Sequence, residues 1–203
     1  MIKKKGPSLR LEQQQATRRR LIEATIEVIS TRGYQAATID NIVSHASTGR
    51  ATFYLHFKSK GEALLAGWEE LQLPHIVQLL LEIDEMTSQS EGDIRSWVDR
   101  MVHFWENNRN IAIASNQAIS LDPQMAAEWF RRIWTLGLRL PQWKLRNKDA
   151  IADAQLRFFM LSAETANILS MWVMNAAPMS RDSIVDVLVQ RWGKEFGGHA
   201  LEI

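Results

Sequence analysis

The segment Arg50 to Lys60 reads RATFYLHFKSK and combines three cations, three aromatics, a histidine and the hydroxyls of Thr52 and Ser59, without an acid. Guanidinium, ammonium, imidazole and hydroxyl groups all donate hydrogen bonds, so the chemistry on offer is recognition of phosphate oxygens and base edges. Arg50, with Ala51 beside it, opens a short predicted helix, where a guanidinium reaches a guanine or a phosphate. Thr52 suits a thymine methyl or a phosphate. Tyr54, His56 and Lys60 follow at the spacing of a helix end and the next helix start, which suits donors to a phosphate backbone. Tyr54 is read alternatively as a half-buried packing residue, and His56 as a cap or packing residue. Lys60 on a first helical turn opposes the helix dipole, and a bound anion at that amide-rich start would account for it. Phe53 and Phe57 are expected to face inward.

The elements that must hold this segment are helical. Leu21, Thr25 and Val28 form one stripe with Ile22, Ile26 and Ile29 beside it, the spacing of a half-buried helix that Gly33 ends. Thr38 is placed as the N-cap of a second short helix reaching about His45. Ala46 to Gly49 is a tight connector, and a third short helix runs to about Leu55. Either Thr48 or Gly49 caps it. Ser59 and Glu62 have the spacing of a capping box opening a longer helix, which Pro74 kinks or breaks before the pattern resumes to about Glu85.

Beyond it, MTSQSEGD is a predicted loop and Asp93 to about Asn108 a helix. Asp122-Pro123 is a cap followed by proline at the first helical position. Lys144 to Lys148 is a polar connector. A long helix spans about Asp149 to Asn175 and ends at Ala176-Ala177-Pro178, and Ser180 caps a last helix to about Phe196. The expectation is an all-α protein of about nine helices, divided near residue 60.

Composition narrows the function. The chain has 203 residues, 46% apolar and 23% charged, in the ordinary globular range. It has no cysteine, which excludes disulfides and thiolate metal sites. No apolar stretch follows the basic N-terminus as in a secretory signal, and Glu164, Thr165 and Asn167 interrupt the longest apolar run, so neither export nor a membrane span is expected and a cytoplasmic location is. The net charge of +1 hides an asymmetry: residues 1–67 carry 11 Lys and Arg against 5 Asp and Glu, and residues 68–203 carry 13 against 18. A basic first third on an acidic body points to a polyanion partner for the first third alone. Lys3, Lys4, Lys5 and Arg10 either track a nucleic-acid backbone or form an uninvolved tail. No Gly-rich phosphate loop, H-E-x-x-H pair or tight His/Asp/Glu cluster is present, so neither an enzyme nor a cofactor is expected.

Three short helices, the second and third joined by a tight turn, form a helix-turn-helix pattern. The stretches RRLIEATIEVISTRGYQAATIDNIVSHAS and GRATFYLHFKSKGEALL resemble the N-terminal domain of the TetR family of bacterial transcription regulators. Gly33-Tyr34, Thr38, Ile42 and Thr52-Phe53-Tyr54-x-His56-Phe57-Lys58-Ser59-Lys60 carry the resemblance. It implies a homodimer, a palindromic DNA operator and a helical C-terminal ligand domain, with residues 1–60 as arm and DNA-binding domain and 61–203 for ligand and dimerisation. Family members usually have Gly, an apolar residue and Ser where this chain has Ser47, Thr48 and Gly49, so Ser47 is expected in a conformation glycine takes more easily. Gly61 stands where an acid is common.

Seven of the eight tryptophans lie beyond residue 70. Trp97, Met101, Trp105, Trp134, Phe159 and Met171 are read either as core or as lining of an adaptable apolar pocket. Polar groups inside apolar runs, His103, Asn116, Gln117, Glu164 and Asn167, are read either as satisfied packing residues or as groups orienting a ligand. Ala163, Ala166 and Ser170 would allow close helix approach in a dimer, beside an apolar stripe of Ile184, Leu188 and Trp192. The function expected is a regulator, most often a repressor in this family, released from its operator by an apolar or amphipathic small molecule. The alternative is a DNA-bound protein whose C-terminal domain answers to a protein partner.

Overall fold

The computed structural model describes residues 9–87, 90–176 and 178–196. Lys3, Lys4, Lys5, the Ser88-Gln89 part of the expected loop and Ala177 lie outside the described residues. Within them the chain is all-helical, without a strand, and runs α1 (Leu9–Arg32), α2 (Ile39–His45), α3 (Arg50–His56), α4 (Lys60–Gly67), α5 (Leu73–Asp84), α6 (Glu91–Asn107), α7 (Arg109–Leu121), α8 (Pro123–Trp134), α9 (Pro141–Arg146), α10 (Ile151–Val173) and α11 (Arg181–Phe196). The surplus over the expected nine has definite sources. The segment between Asn108 and Asp122 is the helix α7, and most of the expected polar connector after residue 143 belongs to α9.

Local chemistry sets the boundaries in the head, α1 to α4. Gly33, at φ +85°, stops α1. The Thr38 hydroxyl accepts from the Asn41 amide, and the Asn41 side chain accepts in return from the Thr38 amide. At the other end of α2, the Thr48 amide donates to the Val43 carbonyl and the Ser47 amide to the Ser44 carbonyl. This pattern requires a left-handed residue between them, and Ser47 supplies it at φ +51°. Gly49 is the residue that caps α3, through its backbone alone. Ser59 accepts from the Glu62 amide, while the Glu62 carboxylate reaches the Lys58 amide, one residue earlier than a capping box requires.

The break expected at Pro74 begins ahead of it. Residues Trp68–Gln72 form a π-helical turn, with the Leu73 amide donating to the Trp68 carbonyl five residues back. Pro74 has no amide for the Glu70 carbonyl and its ring crowds that position, so the widened turn just before it absorbs the mismatch. Glu69 and Glu70 leave this turn on different sides. Glu69 pairs with Arg132 of α8 at 2.6 Å, and Glu70 accepts from Arg18 Nε of α1 at 3.0 Å.

In the body, Asp122 caps α8 by accepting from the Gln124 and Met125 amides. Asp84, fully buried at the end of α5, accepts from the Gln142 and Trp143 amides and so caps α9. Trp97, Trp143, Phe158 and Phe196 lie at the centre of this half, with Trp192 among them, tilted against Trp97 at 4.9 Å and stacked on Phe196 at 5.9 Å. No helix of the described residues is long and apolar enough to cross a membrane, and no group of three His, Asp or Glu residues among them is arranged to hold a metal ion.

Candidate nucleic-acid interface and the body behind it

α3 is two-faced. Phe53 and Phe57 are buried and lie 5.8 Å apart in the head core. Arg50, Ala51 and Tyr54 are exposed, and Thr52 and His56 are partly exposed. Leu55, which the sequence reading passed over, is 81% exposed on the same outer surface. The signal for it was present: an apolar residue off the Phe53/Phe57 face has no core to enter. Thr38 is exposed at the start of α2, its hydroxyl committed to the capping box.

The Arg50 guanidinium is held by Asp40 of α2, a second residue the sequence reading missed. Arg50 Nη1 donates to both carboxylate oxygens at 3.0 and 2.9 Å. The Tyr54 phenol first, and then Asp40, hold the guanidinium in its charged form. Burial, and then the charge of Arg18, push the His56 imidazole below its ordinary pKa, so it is neutral near pH 7. Arg18 sits 4.5 Å from the centre of the Phe57 ring while bonded to Glu70.

Lys60 departs from its expected role as a phosphate ligand. Its ammonium turns inward and donates to the carbonyls of Tyr34 and Ala37, the latter at 2.9 Å, and lies over the Tyr34 ring at 4.5 Å. The turn between α1 and α2 leaves those carbonyls without helical partners, and the cation satisfies them. Desolvation there lowers its pKa.

Tyr34 also joins the head to the body. Its amide donates to Gln117 Oε1 of α7 at 2.9 Å, and its hydroxyl donates to Asp122 Oδ2 at 2.6 Å. Burial, and then Asp122, raise the phenol's pKa, and the same hydroxyl is the main cause that lowers the carboxyl's. A Cβ at Gly61 would lie 3.0 Å from the Tyr34 hydroxyl and 3.3 Å from Asp122 Oδ2. The missing acid at position 61 therefore has a steric and an electrostatic reason. Gln117, one of the polar groups in an apolar run, is a structural partner of this joint.

The body holds a cavity of about 170 Å³ walled by the π turn, α7, α8 and α10. Of the expected pocket residues, Trp105, Asn116 and Asn167 line it. Gln72 and Ser115, which the sequence reading missed, line it too, and the buried Ser115 hydroxyl has no hydrogen-bond partner. Trp97 and Met101 are core instead, with Trp97 Nε1 donating to the Leu79 carbonyl at 2.7 Å. His103 is exposed beside Glu106. Trp134 and Phe159 form a partly exposed ring pair 5.4 Å apart. The Met171 sulfur accepts from Asn167 at 3.8 Å.

A larger groove of about 350 Å³ runs between α10 and α11, where Glu164 pairs with Arg191. Its walls hold no such orphaned polar atom among the described residues, so the smaller cavity is the better candidate for a ligand. The expected dimer residues divide. Ala163, Ala166 and Ser170 line the small cavity. Ile184 and Leu188 are buried under the groove, and Trp192 lies inside the subunit, its Nε1 donating to the Thr165 hydroxyl at 3.1 Å. Among the described residues of α10 and α11, the large apolar side chains left exposed are Met160, 59% exposed, Val187, 56% exposed, and Leu156.

Residues 21–66 match the bacterial regulatory proteins of the tetR family. The HTH-type transcriptional regulator YvdT of Bacillus subtilis is 30% identical over 112 residues, which cover 52% of this chain and 54%, about half, of YvdT. The HTH-type transcriptional activator FasR of Mycolicibacterium smegmatis is 27% identical over 182 residues, 87% of this chain and 81% of FasR. The crystal structure of the regulator FadR from Bacillus subtilis in complex with stearoyl-CoA superposes with a TM-score of 0.62 at 18% identity, covering 89% of this chain and 98% of that one, and so shares the fold.

Proposed function

We propose that the chain, whose residues 21–66 match the tetR family of bacterial regulatory proteins, is a regulator of that family that binds a palindromic operator in the bacterial cytoplasm as a homodimer and is released by a small apolar or amphipathic effector. The observation that carries the reading is the two-faced α3: Phe53 and Phe57 anchor it while Arg50, Ala51, Thr52, Tyr54 and Leu55 project outward. A short helix held this way enters a major groove with its first turn against base edges. Arg50 supplies the guanidinium for a guanine, and Leu55 and Thr52 supply apolar contact for a thymine methyl. Tyr54 and His56 serve the phosphates. Lys60 acts from inside, fixing the turn before α2 to the start of α4.

Residues 1–60 serve DNA and 61–203 serve effector and partner subunit. The exposed Met160, Val187 and Leu156 on the last two long helices are the surface offered to the second copy. The effector enters the cavity at Ser115. Its 170 Å³ is below the usual ligand-pocket range of about 300–1,000 Å³, so the occupied body must be opened relative to this one. Trp68 and Gln72 of the π turn form one wall, and the same continuous helix begins at Lys60, behind α3. Widening the cavity shifts that helix, and a coupling of about 1–3 kcal/mol is enough to misplace one of two half-sites. Because FadR binds stearoyl-CoA, fatty acyl-CoA thioesters are the first class to try.

The test is selection of genomic fragments by the purified protein, followed by operator titration with and without each acyl-CoA. An enriched inverted repeat whose binding weakens on adding one thioester class supports the reading. No enriched sequence contradicts it. An operator that no small molecule loosens transfers control of the body to a protein partner.

A further inference from the structure

Asp40 is the only acid between Gly33 and Lys60, the stretch that holds the proposed DNA-facing surface. A carboxylate there repels phosphate, so its placement needs a reason. The structure supplies one. Asp40 is the second residue of α2 and Arg50 the first of α3, and the two lie in reach only because the Schellman turn at Ala46–Thr48 folds the helices together. Arg50 Nη1 donates to Oδ1 and Oδ2 of Asp40 at 3.0 and 2.9 Å, which engages one of its three guanidinium nitrogens and leaves the rest of the fork outside the pair. The Tyr54 phenol, one turn further on, is the first cause that favours the charged form of the same cation.

Both partners are more than half exposed, at 57% and 66% of the side chain. Exposed pairs of this kind add little to stability. The pair is therefore a bias on Arg50 that is easily exchanged, and folding does not depend on it.

That bias has a consequence for DNA binding. A free surface arginine forms an ion pair with a phosphate on any sequence, and such contacts supply essentially all of non-specific affinity. Arg50 paired with Asp40 is locally neutral and offers random DNA little. A guanine edge is different: it rewards an arginine held in one orientation, because both acceptors must be met together. We propose that Asp40 is a specificity-setting residue, which withholds Arg50 from phosphates and orients it for a base edge. The inference rests on α3 being the helix that reads DNA.

The experiment compares wild type, Asp40→Asn, Arg50→Ala and the double variant on a selected operator and on a random duplex, each at several salt concentrations between 50 and 200 mM. Asp40→Asn should tighten binding to random DNA by about three- to tenfold and steepen its salt dependence by about one phosphate. Operator affinity should change less, so the operator-to-random ratio falls. In the Arg50→Ala background the same substitution should change random binding by less than about twofold, since no arginine is left to release. Asp40→Glu, which keeps the charge, should stay close to wild type. An unchanged ratio in Asp40→Asn overturns the proposal. So does a tightening that persists in full without Arg50, because Asp40 would then act only by repelling phosphate. A wild-type protein that selects no sequence defeats the DNA-reading assignment itself, an outcome separate from either of these.

Discussion

The head and the body use the same kinds of residue in opposite ways. In the head, polar groups end helices or project outward from α3, and the caps run between near neighbours in sequence, while Lys60 and the Arg50–Asp40 pair reach further. In the body, polar groups reach across the chain. Asp84 caps a helix that starts 57 residues later, Trp143 Nε1 donates to Glu195, and Trp192 Nε1 to Thr165. The head is thus specified locally, and the body is an assembly whose core is completed only when distant helices meet. The two are joined where Tyr34 meets Gln117 and Asp122.

The largest expected effects test the two cores against each other. Phe53→Ala and Trp192→Ala should each cost about 3–5 kcal/mol, read as loss of thermal and denaturant stability. If Trp192→Ala instead yields a monomer with an unchanged melting temperature, Trp192 belongs to a subunit interface and its place in the core is wrong.

Next comes the joint. Gly61→Glu restores the acid common in related proteins, but its Cβ enters the space of the Tyr34 hydroxyl and its charge faces Asp122. It should cost about 1–3 kcal/mol. Tyr34→Phe should cost a similar amount, about 1.5–3 kcal/mol at neutral pH, as the loss of a hydrogen bond to a charged group. The pH dependence has a definite sign. Asp122 has a folded pKa below its ordinary value of 3.8, so its contribution is present above that value and is lost as pH falls through the lower folded one. The stability gap between wild type and Tyr34→Phe should therefore narrow only in acid. A gap that is already closed at pH 7 would mean the joint is not formed in solution.

The smallest effects lie at the two left-handed residues, Ser47 in the head and Asn175 in the body. Asparagine tolerates that conformation and serine does not. Ser47→Gly should stabilise by about 0.5–1 kcal/mol, and Asn175→Gly by about zero. Paired urea titrations measure both, and equal gains would show that turn strain is shared between the regions.

The same division explains what could be read from the sequence. Caps at Thr38, Asp122 and Ser180, the stop at Gly33 and the strained Ser47 were legible because each is written within a few residues. The inward face of α3 was legible because Phe53 and Phe57 share one side of a helix. The role of Lys60 was not, since the carbonyls it serves lie more than twenty residues earlier. The cavity was only partly legible. Aromatic and small residues on α10 fit a pocket, a core or a dimer equally well from periodicity alone, and packing against α7 and α8 turned Ala163, Ala166 and Ser170 toward the cavity. The helix α7 has a mixed, weakly marked sequence, and it is fixed by α1 and α10 on its flanks.

The central claim is that the first turn of α3 reads base edges. It is tested most directly by titrating wild type and Arg50→Ala against the selected operator and against variants with one base pair replaced symmetrically in both half-sites. Arg50→Ala should lose about tenfold or more in operator affinity and lose discrimination at one position in each half-site, a G·C pair, while preferences at the other positions remain. Equal weakening at every position, or intact preference at all of them, would contradict it.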